Sequence, residues 1–173
     1  DGPAAYVVTT LDRARDLPRP PAVIAGVAAA SNPWTLTEMF TQSPRFLDIG
    51  PGEAGARAFA QAGIRHEDVD FAEIYDCFTL SIILQLEGLG FCARGEGARF
   101  VAEGRTAPGG ALPVNTDGGH LAHAYIPGMT HIVEAVRQIR GERGSAQVPD
   151  AEVGLVSTFA GPDHATLVLT RDR

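Results

Sequence analysis

From Cys77 to Leu89 the chain is apolar on nearly every side of a helix, with Phe78, Leu80, Ile82, Ile83, Leu84, Leu86 and Leu89 spread around the turn. Such a helix has no face to give to water and must lie inside a core or an interface. It falls short of the ~20 apolar residues that cross a bilayer, so protein has to cover it. The flanking sequence supplies sheet. Ala4 to Thr10, Ala22 to Ala30, Phe71 to Ile74, Val153 to Thr158 and Ala165 to Thr170 are apolar runs of strand length. The last two are joined by Phe159-Ala-Gly-Pro-Asp-His164, a hairpin connection.

Two further helices are expected. Gly55, Ala58, Phe59 and Ala62 share one face, and Gly63 ends that helix. Met129, Ile132, Val133, Val136 and Ile139 form the apolar face of a second helix, closed by Gly141. Leu11 to Leu17 reads as a polar turn or helical cap, and Pro18, Pro20 and Pro21 as a linker between structural halves. Residues 32–49 read as a loop with one short helix near Thr37 to Thr41, and 92–110 as glycine-rich loop. The order of strands and helices gives an α/β fold, a mixed sheet with helices on both faces. Residues 1–17 are expected to end one half of a larger fold and 18–173 to form the next domain.

The charge balance narrows the function. Fourteen basic against twenty-one acidic side chains leave a net charge of −7, which disfavours a nucleic-acid surface. All the basic residues are arginine, so the sequence offers neither a Schiff-base lysine nor a P-loop lysine. Cys77 and Cys92 match no zinc-ligand spacing, sit in apolar surroundings and fit a reducing, cytoplasmic compartment. No segment reads as a signal peptide or membrane span.

The chemistry concentrates in Leu112 to Gly128, which is expected to begin as a short strand. Gly118-Gly119 lets the backbone approach something closely, and His120, His123 and Tyr125 follow before Pro127-Gly128 opens the amphipathic helix. Tyr125 ends this loop and Tyr75 ends the third strand, both at the edge where open α/β sheets place ligands. A phenol can give up and take back a proton if its surroundings lower its pKa, although each tyrosine also fits a half-buried structural role. His120, His123 and His164 are candidate acid–base groups or oxyanion donors. Asp76 could orient a base or cap the following helix. Two histidines three apart do not make a three-ligand metal site, and none is expected.

These motifs carry a resemblance. Asp1-Gly-Pro-Ala-Ala, Ala62-Gly-Ile-Arg-His-Glu-Asp-Val-Asp70, Glu73-Ile-Tyr-Asp-Cys-Phe78 and Val114-Asn-Thr-Asp-Gly-Gly119 with Tyr125-Ile-Pro-Gly128 resemble signposts of the C-terminal half of the thiolase fold. Thiolases place an asparagine, a histidine and a cysteine in this half. Here Tyr75, Tyr125 and about Thr158 stand at those positions, so the acid–base cysteine of Claisen chemistry is gone. The nucleophilic cysteine belongs to the family's other half.

The wording around Tyr75, Gly118 and the last helix is similar to the sterol-carrier or lipid-transfer-protein branch, which includes steroid side-chain retro-aldolases. That resemblance implies cleavage of a sterol-derived β-hydroxyacyl-CoA to a ketosteroid and a short acyl-CoA, with Tyr75 and Tyr125 as the catalytic pair. His120, His123, Asp76 and His164 would support them, and Gly118, Gly119 and Asn115 would shape the substrate loop. It implies no cofactor beyond the substrate's coenzyme A, a homodimer, and a small OB-fold, zinc-ribbon partner protein. A degenerate thiolase and a non-catalytic acyl-CoA-binding scaffold are the alternatives. The resemblance also implies that this segment begins mid-fold and is not stable alone, because sheet surface would be left bare.

Overall fold

The computed structural model describes residues 2–31, 48–122, 126, 128–160 and 163–172. Four strands form one mixed sheet: β1 (Ala22–Ser31), β2 (Phe71–Ile74), β3 (Val153–Ala160) and β4 (Asp163–Arg171), in the order β1-β4-β3-β2. The β3–β4 hairpin is antiparallel with Leu155 opposite Val168, and β1 runs antiparallel to β4 from Ala22↔Arg171 to Ser31↔Asp163. Only β2 and β3 are parallel, in register from Phe71↔Gly154 to Ile74↔Ser157.

Helices cover both faces, as expected. The helices are α1 (Leu11–Arg15), α2 (Pro51–Ala62), α3 (Thr79–Leu89), α4 (Gly97–Ala102) and α5 (Met129–Ile139). On one face Ala58, Phe59, Leu86 and Leu89 from α2 and α3 pack with Ala28, Ala72, Ile74, Leu155 and Val168 of the sheet. On the other, Ala135 and Ile139 of α5 pack with Phe71, Val156 and Leu169. Strand residues alternate between the two cores, which is why both faces of β2 are fully buried. At Gly26 a side chain would overlap the Ala58 carbonyl, so glycine there sets how closely β1 approaches α2.

The structure corrects four expectations. Ala4 to Thr10 forms no strand among the described residues, and its side chains mostly face outward, Tyr6 at 45% exposed and Val7 at 89%. The pattern asks for a partner, but this segment pairs with none of the four strands, although among the described residues β1 has β4 on one side only. Residues 97–102 are helical, not loop. Gly97 sits so close to Ile83 of α3 that only glycine fits, and Phe100 is buried beneath. The residues α5 buries are His131, Glu134, Ala135, Gln138 and Ile139, whereas Met129, Ile132, Val133 and Val136 are half-buried. Glu134 and Gln138 can go inside because the fold supplies their hydrogen bonds, whereas His131 is buried with only a 3.4 Å contact to Asp76. Finally, Leu112 was expected to open a short strand, but residues 113–115 make only one bridge, Ala72↔Val114, along the free edge of β2. The short helix expected near Thr37 to Thr41 lies outside the described residues.

Candidate active site

Tyr75 follows β2 directly, and its N–H continues the ladder by donating to the Ser157 carbonyl at 2.9 Å. Its own carbonyl accepts from Gln85 Nε2 of α3 at 2.8 Å and from Ser81 Oγ at 3.2 Å. Gln85 Oε1 in turn accepts from Ser157 Oγ at 2.9 Å. The backbone of Tyr75 is therefore fixed by buried groups from β3 and α3 before its side chain does anything. The residue is 7% exposed.

Aromatic rings line the phenol on several sides. The Tyr75 ring meets His120 edge-on at 5.5 Å, Phe159 at 5.5 Å and His131 at 6.4 Å between centroids. His120 and His131 lie 4.3 Å apart, and His164 stacks on the far side of Phe159 at 5.2 Å. Burial pushes the His131 imidazole down to about 4, with His120 acting in the same direction. Burial likewise brings His164 down to about 4. Both are neutral at pH 7 because the desolvation of a charge outweighs the opposing pull of Asp76 and Asp117 on His131 and of Asp48 on His164.

Asp76 organises the glycine loop. Its Oδ1 accepts from the His120 N–H at 2.9 Å and its Oδ2 from the Leu121 N–H at 3.1 Å. Oδ1 also lies 3.4 Å from His131 Nε2, a contact between a carboxylate and a neutral imidazole rather than an ion pair. The loop can reach Asp76 because Gly118 and Gly119 adopt φ of 100° and 68°. Asp76 is buried and its carboxylate aims at the loop rather than at the start of α3, whose N-cap is Phe78.

Asn115 stands at the start of the same loop with φ 52°. Its Oδ1 accepts from the Ile74 N–H at 2.7 Å and its Nδ2 donates to the Ile74 carbonyl at 2.9 Å. The side-chain amide thus acts as a strand residue and completes the free edge of β2. Thr116 then reaches Glu73: both its N–H (3.2 Å) and its hydroxyl (2.7 Å) meet Glu73 Oε1.

Of the residues singled out from sequence, Tyr75, Asp76 and His120 come together, with Gly118 and Gly119 making the turn between them. His164 joins through Phe159, whereas Asn115 is spent on the backbone of β2. His123 and Tyr125 lie outside the described residues. His131 was missed: it follows Thr130 inside a strongly periodic helix, where a polar residue reads as solvent-facing. Its position four residues after Pro127, one turn into the helix that closes the loop, was the available signal. Together Asp76, His120 and His131 bring ligand-type atoms within 4.8 Å of one another, a grouping of three that the loop histidines alone did not suggest. Neither cysteine is activated, since burial pushes both the Cys77 and Cys92 thiols up, away from thiolate.

Comparison with known proteins gives this geometry a lineage. Residues 34–171 match the family model described as "Thiolase C-terminal domain-like". The chain belongs to this family. It is 44% identical over 176 residues to the steroid side-chain-cleaving aldolase of Thermomonospora curvata, covering 100% of this chain and 44% of that protein. It is 43% identical over 171 residues to the 17-hydroxy-3-oxo-4-pregnene-20-carboxyl-CoA lyase of Mycobacterium tuberculosis, covering 98% of this chain and 44% of the relative. Among solved structures, the Ltp2-ChsH2(DUF35) aldolase superposes with a TM-score of 0.84 at 40% identity, over 94% of this chain and 42% of that one. The chain thus spans less than half the length of these relatives. Among the described residues no helix is long and apolar enough to cross a membrane.

Proposed function

We propose that this chain forms the C-terminal half of a retro-aldolase that cleaves a sterol-derived β-hydroxyacyl-CoA into a ketosteroid and a short acyl-CoA. In this reading residues 1–17 close the preceding half and 18–173 are the second domain. The observation that carries the reading is Tyr75. Its phenol ring is buried against His120, the neutral His131 and Phe159, on a backbone that β3 and α3 hold still. An identity of 44% across this chain, which covers 44% of that relative, to a steroid side-chain-cleaving aldolase supports the same chemistry.

The reaction needs three things. A base removes the proton of the β-hydroxyl, and as that oxygen becomes a ketone the Cα–Cβ bond breaks. The electron pair passes into the thioester as an enolate, which hydrogen-bond donors in a water-poor site stabilise. An acid then returns a proton to the α-carbon. Tyr75 and Tyr125 are the pair assigned to these transfers. Asp76 acts on them indirectly, by holding the loop that brings His120 to Tyr75 and runs on to Tyr125. His120, His123 and His164 are the supporting groups, and Gly118 and Gly119 give the loop its path.

No step requires a cofactor or metal beyond the substrate's coenzyme A. A thiolase-type acyl transfer would need a thiolate, and the upward-shifted thiols of Cys77 and Cys92 argue against one from this half. We place the protein in the cytoplasm, where unpaired cysteines are the rule. It would act as a homodimer joined to a small OB-fold, zinc-ribbon partner, in keeping with the similarity to the Ltp2-ChsH2(DUF35) aldolase.

The test is to incubate the complete protein and its partner with a steroid β-hydroxyacyl-CoA bearing a tertiary alcohol. Ketosteroid and short acyl-CoA are followed by mass spectrometry. Product should form without added coenzyme A, and Tyr75→Phe and Tyr125→Phe should each abolish it while the protein stays folded. Full turnover in both variants would overturn the reading. Ligand binding without turnover in the wild type would favour the scaffold alternative, and cleavage dependent on free coenzyme A the degenerate thiolase.

A further inference from the structure

Behind Tyr75, on the α5 side of the sheet, lies a second group of ionisable side chains that the retro-aldol scheme does not use. Glu73 is 0% exposed and Glu134 of α5 is 2% exposed. Thr116 Oγ1 sits between them, 2.7 Å from Glu73 Oε1 and 2.7 Å from Glu134 Oε1. Both are hydrogen-bond distances between oxygens. A threonine hydroxyl has one hydrogen and two acceptor sites, and an ionised carboxylate has no hydrogen at all. Two short O···O contacts need two hydrogens, and Thr116 provides one. The other must come from one of the two carboxyl groups.

The surroundings decide which. Glu134 Oε1 accepts from Arg143 Nε at 2.7 Å and from Gln138 Nε2 at 3.2 Å, so a cation compensates its charge. Among the described residues Glu73 has no cation beside it, and its second oxygen, Oε2, is buried without a hydrogen-bond partner. The charged groups that face it are the carboxylates of Glu134 on α5 and Asp117 on the loop, both unfavourable to a further negative charge. Burial raises the Glu73 carboxyl well above the usual carboxylate range in the same sense. With the proton on Glu73 every contact is satisfied. Glu73 donates to Thr116 Oγ1, Thr116 donates to Glu134, and Gln138 Nε2 fills the second acceptor site of Thr116 at 2.9 Å.

We propose that Glu73 is a neutral carboxylic acid whose proton fastens Thr116 to β2, making it a positioning residue for the Tyr75 site. The placement gives this its meaning. Residues 115–121 are held at their start by Glu73 and Ile74 and at their end by Asp76, three residues of one short stretch around Tyr75. Ionising Glu73 would leave two carboxylates sharing one hydroxyl hydrogen. The start of the loop would then be repelled from β2 while its end stayed tied, shifting His120 against Tyr75. The folded state holds a proton that the unfolded chain releases above the ordinary glutamate range. The contribution of Glu73 to stability is therefore full below the ordinary glutamate range and is lost as pH rises through its raised pKa.

The test uses the complete protein with infrared difference spectroscopy, thermal melting and, resting on the aldolase reading, the pH profile of turnover. The wild type at neutral pH should show the carbonyl stretch of a buried protonated carboxyl group, lost in Glu73→Gln and retained in Glu134→Gln. Glu73→Gln carries an amide donor that cannot ionise. It should stay folded, flatten the decline of Tm with rising pH, and move the alkaline limb of kcat upward. Glu73→Ala should lower kcat, and Glu73→Gln should recover most of that loss. A band that survives Glu73→Gln, or a Tm decline identical in wild type and Glu73→Gln, would overturn the proposal. The first two readouts need no substrate, so a failed aldolase assay leaves them decisive.

Discussion

Replacing Gly119 with alanine is the sharpest single perturbation of the site, and its cost can be worked from the geometry. Gly119 has φ 68°, and a Cβ there would overlap Asp76 Oδ2 while lying 2.8 Å from Asn115 Nδ2 and 2.9 Å from Asp76 Cγ. The left-handed backbone costs an L-residue about 1 kcal/mol. The overlap is the larger effect, because Asp76 cannot retreat without lengthening its bonds to the amides of His120 and Leu121. A hydrogen bond to a charged acceptor is worth ~1.5–3 kcal/mol, so losing one brings the total to roughly 3 kcal/mol. Gly109 provides the control. It also has positive φ, 77°, but a Cβ there meets nothing within 4 Å. Gly109→Ala should cost only the backbone strain, about 1 kcal/mol. Chemical denaturation of both variants measures the difference. Turnover should fall on the order of 10²-fold in Gly119→Ala alone, since a displacement of ~1 Å at a catalytic group has that effect. If Gly119→Ala matches Gly109→Ala in both stability and turnover, Asp76 does not hold the loop in the way described.

Three further outcomes are expected. His164 is neutral in the fold at about 4 against 6.5 unfolded, so it costs stability as pH falls from 6.5 to 4, up to ~3 kcal/mol. His164→Phe, which preserves the stack on Phe159, should flatten the acid loss in urea midpoints between pH 7.5 and 4.5, and parallel curves would refute this. Gln85→Leu leaves the Ser157 hydroxyl unpaired inside the core, at ~1–3 kcal/mol, and leaves the Tyr75 carbonyl with only the longer bond from Ser81 Oγ. A calorimetric Tm within a degree of wild type would contradict that accounting. Prolonged dialysis against a chelator that spares the zinc of the proposed zinc-ribbon partner should leave turnover intact, despite the proximity of Asp76, His120 and His131. A loss restored by one divalent cation would make that trio a metal site.

The parts of the fold that were legible in the sequence are those whose signal is local. The hairpin of β3 and β4, the glycine cap after α2 and the all-apolar α3 each declare themselves within a dozen residues. The strand expected at Ala4 to Thr10 failed because an apolar run says that something must cover it, not what does. The face of α5 failed for a related reason. His131, Glu134 and Gln138 look solvent-facing until Asp76, Thr116, Arg143 and the Val148 N–H supply their partners, and all of these come from distant or irregular chain. At the site, Tyr75, Asp76, His120 and the two glycines could be read from motif spacing. Their dependence on Gln85, Ser157 and Glu73 could not, because it arises only when three elements meet.

The sheet order has a consequence for how the chain comes into being. β1 pairs with β4, the last of the four described strands to be made, and β2 pairs with β3, from Ala22↔Arg171 and Phe71↔Gly154 respectively. At ~5–20 residues per second of synthesis, β1 waits on the order of ten seconds or more for its neighbour. Contacts so distant in sequence are also slow to close once the chain is free. During that interval Tyr75 and Asp76 have been made, but the strand that fixes them has not. The site is therefore among the last parts of this segment to be born, and its stretch of nascent apolar chain is the one a chaperone would meet.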